Sequence, residues 1–230
     1  MKKLPVIRID EKGKHKLMDP VATEKIWELL IDGEPERKLA SSEYEIEELL
    51  TGYLFSSGRI YTPSDIQKLQ IDEERGLILI EIRKKHVIVN QIQEPIYFKL
   101  KDIFYLIEAF AQASERFVRT GAYHSAGLAT GKTLELVADD ISRQNAVDRL
   151  IGKILLQNRT ARSRALLLSC RVGEEIFHKA ASMQFPLVVS QSAVTDLAVQ
   201  MAKNTNTTLI GFARGKRINI YHEGKCAIVD

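Results

Sequence analysis

The second half of this chain alternates short apolar runs with amphipathic segments, and this alternation limits the folds that are open to it. The runs "ALLLSC", "PLVVS" and "TLIGFA" are short enough for buried strands. The segments between them, such as "ISRQNAVDRLIGKILLQ", repeat apolar residues at helical spacing. Strands that alternate with helices in this way predict an α/β layered domain with a partly parallel sheet.

The first half has another pattern, typical of antiparallel strands and one helix. "WELLIDGEPERKLA" predicts a hairpin around "DGEP". "SSEYEIEELLTGYLFSSG" predicts a helix that Ser41 or Ser42 caps and that Gly58 ends. "IQKLQIDEERGLILIEIRKKHVIVN" alternates apolar and polar residues, as half-buried strands do.

A junction is predicted at "QIQEPIYFKLK", where the first pattern gives way to the second. We therefore expect a smaller N-terminal α+β part over residues 1–98 and an α/β domain over residues 99–230. The next helix is predicted to have an apolar face, made of Ile103, Leu106, Ile107, Phe110 and Ala111.

Charge and cysteine content exclude several classes of protein. Net charge is only +3, which is too slight to indicate a nucleic-acid partner. No apolar run is long enough to span a bilayer, and the basic start lacks a secretory core, so we expect a cytoplasmic protein. Of the two cysteines, Cys170 is expected to be buried, whereas Cys226, near the end, could be free and reactive. No second His or Cys stands at ligand spacing from His124, so no structural metal is expected.

Polar side chains collect where the predicted strands of the second half end. By itself, the crowded helix start "ADDISRQNAVDRLIG" is explained by a cap at Asp140 or Ser142 with solvated neighbours. Similar clusters at other strand ends favour a ligand pocket instead, because ligands of such sheets bind at the carboxyl ends of strands. The residues concerned are Asp140, Arg143, Asn145, Asp148, Arg171, Ser190 and Ser192 at or after strand ends, together with Thr120 and His124, which flank the beginning of the first strand.

The segment "FARGKR" is a candidate anion site. Arg214, Lys216 and Arg217 around Gly215 could hold a phosphate through side-chain charge and backbone N–H groups. The alternative is a hairpin turn with solvated charges, which this segment alone would favour. The glycine motifs that cradle phosphates in nucleotide hydrolases and dehydrogenases are absent, and no serine lies in a nucleophile-elbow motif.

Five ordered segments, from "TGAYHSA" through "DDISRQNAVDRLIG", "SCRVGEE" and "PLVVSQSAVTDLA" to "GFARGKRINIY", resemble the FdhD family of formate dehydrogenase accessory sulfurtransferases. "LLTGYLFSSGRI" resembles the family's early helix, so the resemblance covers about Asp19 to Tyr221. It implies a cytidine-deaminase-like layered α/β/α domain with a smaller N-terminal α+β part, in a homodimer.

The resemblance also implies a function. Family members take sulfur from a cysteine desulfurase and pass it to a molybdenum cofactor with guanine dinucleotides (bis-molybdopterin guanine dinucleotide), which then enters formate dehydrogenase. The residues named above would line the cofactor pocket, with GDP as a simple analogue of the ligand. The cofactor-binding loop would be Phe212, Ala213, Arg214, Gly215, Lys216 and Arg217.

This chain departs from the family at the sulfur-carrying loop. The family's C-G-x-C-G loop is expected where this chain reads "QIQEPIYFK", which contains no cysteine. Persulfide relay needs a thiolate that accepts and then releases sulfur. The family's G-R-H-N is Ser142 to Asn145 here, so a histidine has become Gln144. Whether the chain is an enzyme therefore stays open.

Three classes of function follow. The first is an FdhD-like protein that binds the cofactor, as a chaperone without sulfur transfer or with transfer through Cys170 or Cys226. The second is a non-catalytic module that contacts the desulfurase or the dehydrogenase. The third, a deaminase-like hydrolase, is opposed by the lack of H-x-E and C-x-x-C zinc ligands.

Overall fold

The structure is a computed structural model that describes residues 1–83 and 96–230. The N-terminal half begins with a two-stranded antiparallel arm, β1 (Lys2–Asp10) and β2 (Gly13–Val21). A four-stranded sheet follows, with strand order β4-β3-β6-β5. Its elements are β3 (Lys25–Ile31), β4 (Glu34–Ser41), helix α1 (Ile46–Ser56), a 3-10 turn (Pro63–Asp65), β5 (Ile66–Asp72) and β6 (Leu77–Ile82).

The second half is a six-stranded sheet with helices on both faces. Its elements are β7 (Ile96–Lys99), α2 (Leu100–Ala111), α3 (Glu115–Thr120), β8 (His124–Thr130), β9 (Thr133–Asp140), α4 (Arg143–Leu156), β10 (Ala165–Leu168), α5 (Glu174–Ser182), β11 (Leu187–Ser190), α6 (Asp196–Thr205), β12 (Thr208–Arg214), β13 (Arg217–His222) and β14 (Cys226–Val229). The strand order is β13-β12-β11-β10-β8-β9, and β10, β11 and β12 are parallel. This confirms the expected layered α/β class.

Each face of the six-stranded sheet has its own apolar core. On one face, strand residues such as Leu166 and Val188 pack against α4, α5 and α6. On the other face, Leu167 and Val189 pack against α2 and the small parallel sheet of β7 and β14. The predicted boundary between residues 98 and 99 falls inside β7, whose Phe98 belongs to this second core. The division into parts 1–98 and 99–230 stays a prediction.

Most predicted elements are present, with two corrections. Neither Ser41 nor Ser42 caps α1, which begins after Glu45 in a left-handed conformation with φ 49°. Ser41 instead ends β4 and accepts a hydrogen bond from the Trp27 indole N–H at 3.1 Å. Ala111 is exposed and does not share the buried face of α2. Gly58 ends α1 as predicted, with a positive φ of 70° and its N–H bonded to the Phe55 carbonyl.

The two halves are joined where α1 crosses α4 at backbone contact. Gly52 of α1 lies against the Asp148 carbonyl, and Gly152 of α4 lies against the Glu48 carbonyl. A Cβ atom at either glycine would overlap the facing carbonyl oxygen. This close crossing brings β4 and the loop after it to the N-terminal end of α4, where the polar cluster of the sequence lies.

Candidate functional site

The strand ends predicted to carry the site meet along one side of the six-stranded sheet, where the parallel strands β10, β11 and β12 end. We call this side the sheet edge. Because β8 runs antiparallel to β10, its first residue, His124, lies at the same edge as the end of β10. Asp140 at the end of β9 faces His124 in register, and β11 and β12 end at this edge too. From β9 to β12 is four strand spacings, about 19 Å. The predicted residues therefore form two groups, one at the start of α4 and one at the turn after β12.

At the start of α4, the centre of the polar cluster is Arg149, a residue that the sequence reasoning did not select. Its side chain is fully buried, with Nε 2.8 Å from Asp140 Oδ2. Its two terminal nitrogens donate to the carbonyls of Ser42 and Glu45, each at 2.8 Å, and to that of Tyr44. The guanidinium thus binds the loop between β4 and α1 to the second half of the chain.

Asn145 and Asp140 complete this connection between the two halves of the chain, which we call the joint. Asn145 Nδ2 donates to the Ala40 carbonyl at 2.8 Å and to Asp140 Oδ1 at 3.1 Å. The backbone N–H groups of Ser42 and Ser142 also donate to the Asp140 carboxylate. Asp140 is completely buried and both its oxygens are engaged, so its side chain is used to connect the halves. A contribution of Asp140 to ligand binding stays a prediction.

Asp148 forms a second internal connection, between α1, α4 and α5. Lys179 Nζ lies 2.8 Å from both carboxylate oxygens, and Ser56 Oγ donates to one of them at 2.9 Å. Burial raises the pKa of Asp148, although Lys179 and Ser56 act in the opposite direction. Asp148 is therefore held inside the structure, 3% exposed, and its place in a pocket wall stays a prediction.

A cavity of about 540 Å³ opens beside this joint. Arg37 and Lys38 of β4 form one wall, and Ser142, Gln144 and Asn145 of the α4 start form another. Its size lies in the range of about 300–1,000 Å³ that is usual for small-molecule sites. Ser142 makes no side-chain cap to α4, and the first turn carries no acidic residue, so the positive end of the helix dipole lies at this cavity.

A smaller cavity of about 210 Å³ adjoins the first. Arg37 and Gln144 line both cavities. The Gln144 amide donates to the Glu175 carboxylate on α5. Gln144, where the resemblance implies a histidine in the family, therefore lies between the two cavities.

The second group is the turn between β12 and β13, which is the hairpin that the sequence left as an alternative. Arg214 and Arg217 are paired across a turn of Gly215 and Lys216, and Gly215 has a φ of 54°. These four residues are exposed. Arg214 Nε donates to the Gln191 carbonyl at 2.7 Å, which anchors the turn to the strand end beside it.

Two residues of the predicted cofactor-binding loop, Phe212 and Ala213, are wholly or partly buried in the fold. Phe212 is half-buried with a φ of 51° at an irregularity in the strand pairing, and its N–H donates to the Ser192 carbonyl at 2.9 Å. Ala213 is completely buried in the second core. The Ala213 side chain is therefore not exposed to a ligand, whereas the three cations of the turn are.

The remaining predicted residues lie between the two groups or beside them. Ser190 is buried, donates to the Cys170 carbonyl at 2.6 Å and accepts from the Ser192 N–H. Thr120 closes α3 by donating to the Arg116 carbonyl at 2.9 Å. His124 is half-buried, and burial together with the nearby Arg143 lowers its pKa.

Arg143 and Arg171 are the exposed cations between the two groups. Both favour the thiolate of Cys170 electrostatically. Their effect is smaller than that of burial, which raises the pKa of Cys170 to about 11. The middle of the edge is therefore positively charged but holds a protonated thiol.

The expectation of a reactive Cys226 is wrong. Cys226 lies in β14 with no exposed surface, and burial raises its pKa to about 12. Both cysteines are free, buried thiols. Of the stretch "QIQEPIYFK", where the resemblance places the family's cysteine loop, residues 91–95 lie outside the residues that the structure describes, and residues 96–99 form β7. Within the described ranges, no group of three or more His, Cys, Asp or Glu side chains is placed to hold a metal ion, and no helix is long and apolar enough to cross a membrane.

The sequence reasoning missed Arg149, Ser42, Tyr44 and Arg37. Arg149 lies next to the apolar stripe of α4, and the sequence pattern alone predicts a solvent-exposed position there. Tyr44 lies between two guanidinium groups, those of Arg116 and Arg149, with ring-centre distances of 3.7 and 4.6 Å. The three carbonyls that Arg149 binds are about a hundred positions away in the chain, so no local pattern could have identified them.

Comparison with known proteins places this geometry in a family. A model of the FdhD/NarQ family matches residues 82–227, more than half of the chain. Proteins named sulfur carrier protein FdhD are similar over most of their length: that of Geobacillus kaustophilus is 30% identical over 91% of both chains. That of Bacillus subtilis is 29% identical over 94% of this chain and 93% of its own.

Among solved structures, a formate dehydrogenase accessory protein from Desulfotalea psychrophila has a similar fold. Its TM-score is 0.82, with 22% identity and 96% of each chain covered. At this identity the likeness shows the fold, including the arrangement of both halves.

Proposed function

This chain belongs to the FdhD/NarQ family, and from that premise we propose that it is an accessory protein of formate dehydrogenase maturation that binds the molybdenum cofactor through its guanine nucleotides. When bound, the cofactor supplies the molybdenum chemistry, and the residues of this chain hold its phosphates and orient it. The relatives' name, sulfur carrier, supports the accessory role.

The observation that carries this proposal is the charge of the sheet edge. Arg143 and Arg171 are exposed in its middle, and Arg214, Lys216 and Arg217 are exposed at the turn after β12. Arginine forks and lysine suit phosphate oxygens. The donors present therefore fit a ligand with several phosphates.

We propose a cofactor chaperone without sulfur transfer through its own thiols. A sulfur carrier needs a thiolate that a desulfurase can reach. Cys170 and Cys226 are at most 4% exposed, and burial keeps both protonated at neutral pH. A cysteine desulfurase and formate dehydrogenase remain the partners that the resemblance implies, with a cytoplasmic homodimer as the working form.

The decisive experiment is calorimetric titration of the purified protein with GDP. We expect micromolar binding that the Arg214→Ala/Lys216→Ala variant loses, because two of the cations that would hold the phosphates are removed. Lys203→Ala, which removes one exposed lysine on α6, is the control and should bind like wild type. Absence of binding in a folded sample would contradict the proposal and favour a module that acts only through protein contacts.

Sulfur transfer is the second candidate, favoured by the name of the relatives, sulfur carrier protein. It is tested by the reaction of both thiols with Ellman's reagent at pH 8. We expect neither cysteine to react in the native protein within the time in which both react in urea, with a Ser64→Cys variant as an exposed reference. Rapid native labelling of Cys170 would show an accessible thiolate at the site and restore the sulfur-carrier function.

A further inference from the structure

The arm of β1 and β2 is a well-formed hairpin without a core. Neither nine-residue strand contains a buried residue. Ile9 is 75% exposed, and Ile7 and Met18 are each 54% exposed. A two-stranded hairpin alone is marginally stable in water, and adjacent exposed apolar residues on such an element indicate an interaction surface.

The two faces of the arm differ in how their charges are paired. On one face, Arg8 pairs with Asp19 and His15 pairs with Asp10, each at 3.2 Å. The register places the other charges of the arm's strands, apart from Lys2, on the opposite face. We call this the lysine face; it consists of Lys3, Pro5, Ile7, Ile9, Lys14, Lys16, Met18 and Pro20. Its three lysines form no ion pair within the described residues, and the face contains no acid.

The edges of the arm are unsuited to strand pairing. Pro5 and Pro20 lie opposite Met18 and Lys3, and a proline fits a two-stranded ladder only where its nitrogen points outward. Each outer edge therefore lacks a donor at one position, which blocks the addition of another strand. A partner of the arm is expected to pack on its face.

A surface of complementary character lies on the four-stranded sheet. One face of this sheet packs on α1 through Trp27, Leu29, Ile78 and Ile80. We call the other the open sheet face; its apolar members are Ile26, Leu30, Leu77 and Leu79, and its charged members are Glu28, Lys38, Lys68, Asp72 and Glu81. Ile26 is 64% exposed. Lys38 pairs with Glu28 and Lys68 pairs with Glu81, each at 3.2 Å, so the acids of this face exceed its lysines by one, around an apolar centre.

We propose that the lysine face of one copy packs on the open sheet face of a second copy, and that the two copies exchange arms reciprocally. Isoleucines and Met18 would cover Ile26 and its leucine neighbours, while Lys14 and Lys16 meet Glu28 and Glu81. Contact between two lysine faces would bring like charges together. Reciprocal exchange avoids this and closes with two-fold symmetry.

The available area is sufficient for a dimer. A nine-residue strand is about 30 Å long, so each arm face covers roughly 300 Å², and two arms with their two partner surfaces bury about 1,200 Å² in total, as specific interfaces do. Three lysines are fewer than the clusters of about four to eight that mark anionic lipid binding. A second copy is therefore favoured over a membrane.

This inference names the surfaces of the homodimer in the proposed function, and it is independent of the cofactor. It also affects the site, since Val21, Ala22 and Glu24 at the base of the arm line the larger cavity. Docking of the arm would fix that wall in both copies.

A charge-exchange experiment tests the proposal by sedimentation equilibrium of the full chain. Wild type is expected to be a dimer of the 26.0 kDa chain at micromolar concentration. Lys14→Glu/Lys16→Glu and Glu28→Lys/Glu81→Lys should each dimerise at least tenfold more weakly, because like charges then face each other. An equimolar mixture of the two variants should regain the wild-type affinity, since both of its contacts are again complementary.

Lys2→Glu/Lys12→Glu is the matched control, because it makes the same charge change on the other face and at the tip of the arm. It should dimerise like wild type. A monomeric wild type, or variants that dimerise unchanged, or a mixture that stays weak would each overturn the assignment. GDP titration of the same variants separates this outcome from that of the cofactor proposal, because a monomer that binds GDP refutes only the contact.

Discussion

The start of α4 and the turn after β12 look alike in the sequence and are opposites in the structure. Both crowd charged residues next to a strand end of the same sheet edge. Asp140 and Asp148 at the first are buried and bonded to the other half of the chain, whereas Arg214, Lys216 and Arg217 at the second are exposed. A dense polar cluster thus indicates either a joint or a ligand surface, and burial decides which.

Because of this difference, mutations in the two regions are expected to affect different properties, folding stability in one and ligand binding in the other. A buried ion pair, broken on one side, leaves an uncompensated charge in the interior. An exposed cation can be removed at little cost in folding, so its loss is expected to be felt in ligand binding. Separate measurements of stability and of binding therefore distinguish the two regions.

The largest effect is expected from Arg149→Met. The change leaves the Asp140 carboxylate buried without its cation and removes donors from three carbonyls. We expect a loss of about 3–5 kcal/mol in the free energy of unfolding, measured by urea denaturation. Arg143→Met, in the exposed first turn of the same helix, is the control and should change it by less than about 0.5 kcal/mol. Equal losses would remove the distinction between joint and edge.

Gly52→Ala tests the helix crossing that supports the joint. The added Cβ overlaps the Asp148 carbonyl oxygen, so α1 and α4 must move apart. Overpacking of this kind costs about 1–3 kcal/mol, and more where backbone faces backbone. The free energy of unfolding should fall by at least that amount, whereas Glu47→Ala on the exposed side of α1 should leave it unchanged. A neutral Gly52→Ala would show that the crossing can loosen.

Local patterns in the sequence were enough for most of the fold. The apolar runs at Ala165–Leu168 and Leu187–Ser190 predicted buried strands because burial on both sheet faces leaves only the terminal Ser190 polar in them. The Ser41 or Ser42 cap failed because α1 begins only after Glu45, while Ser41 Oγ accepts from Trp27 and the Ser42 backbone N–H donates to Asp140. Local capping rules contain no information about such distant partners.

The candidate site was predictable only in part for the same reason. Sheet topology brings strand ends to one edge, so the turn at Arg214 and the start of α4 could both be found. Arg37 and Lys38 reach the cavity from β4 because α1 crosses α4, which is a packing event between distant segments. Cys226 was misjudged since its position near the chain end concealed a place in the second core.

A smaller effect on stability is expected at the turn. Lys216→Ala/Arg217→Ala removes two exposed cations, so the free energy of unfolding should change by less than about 0.5 kcal/mol. The affinity for GDP should fall, and the loss should shrink as NaCl is raised, because salt screens exposed charges. A clear loss of stability would show that the turn, like the joint, stabilises the fold, and would contradict the distinction between the two regions.

The smallest effect is expected at His124, which lies at the start of β8 between the two regions. Burial and Arg143 lower its pKa, so the native state favours the neutral ring. The stability that this provides is present above the unfolded-state pKa of about 6.5 and is lost as the pH falls below that value and through the lower folded-state pKa. Arg143→Ala should raise the His124 pKa while leaving it below the unfolded value, because burial is the larger cause. An NMR titration of the ring protons measures this, with Lys203→Ala as a control that should not move it. An unchanged pKa in Arg143→Ala would mean that the positive potential of the edge does not reach His124, so that the exposed region ends at the turn.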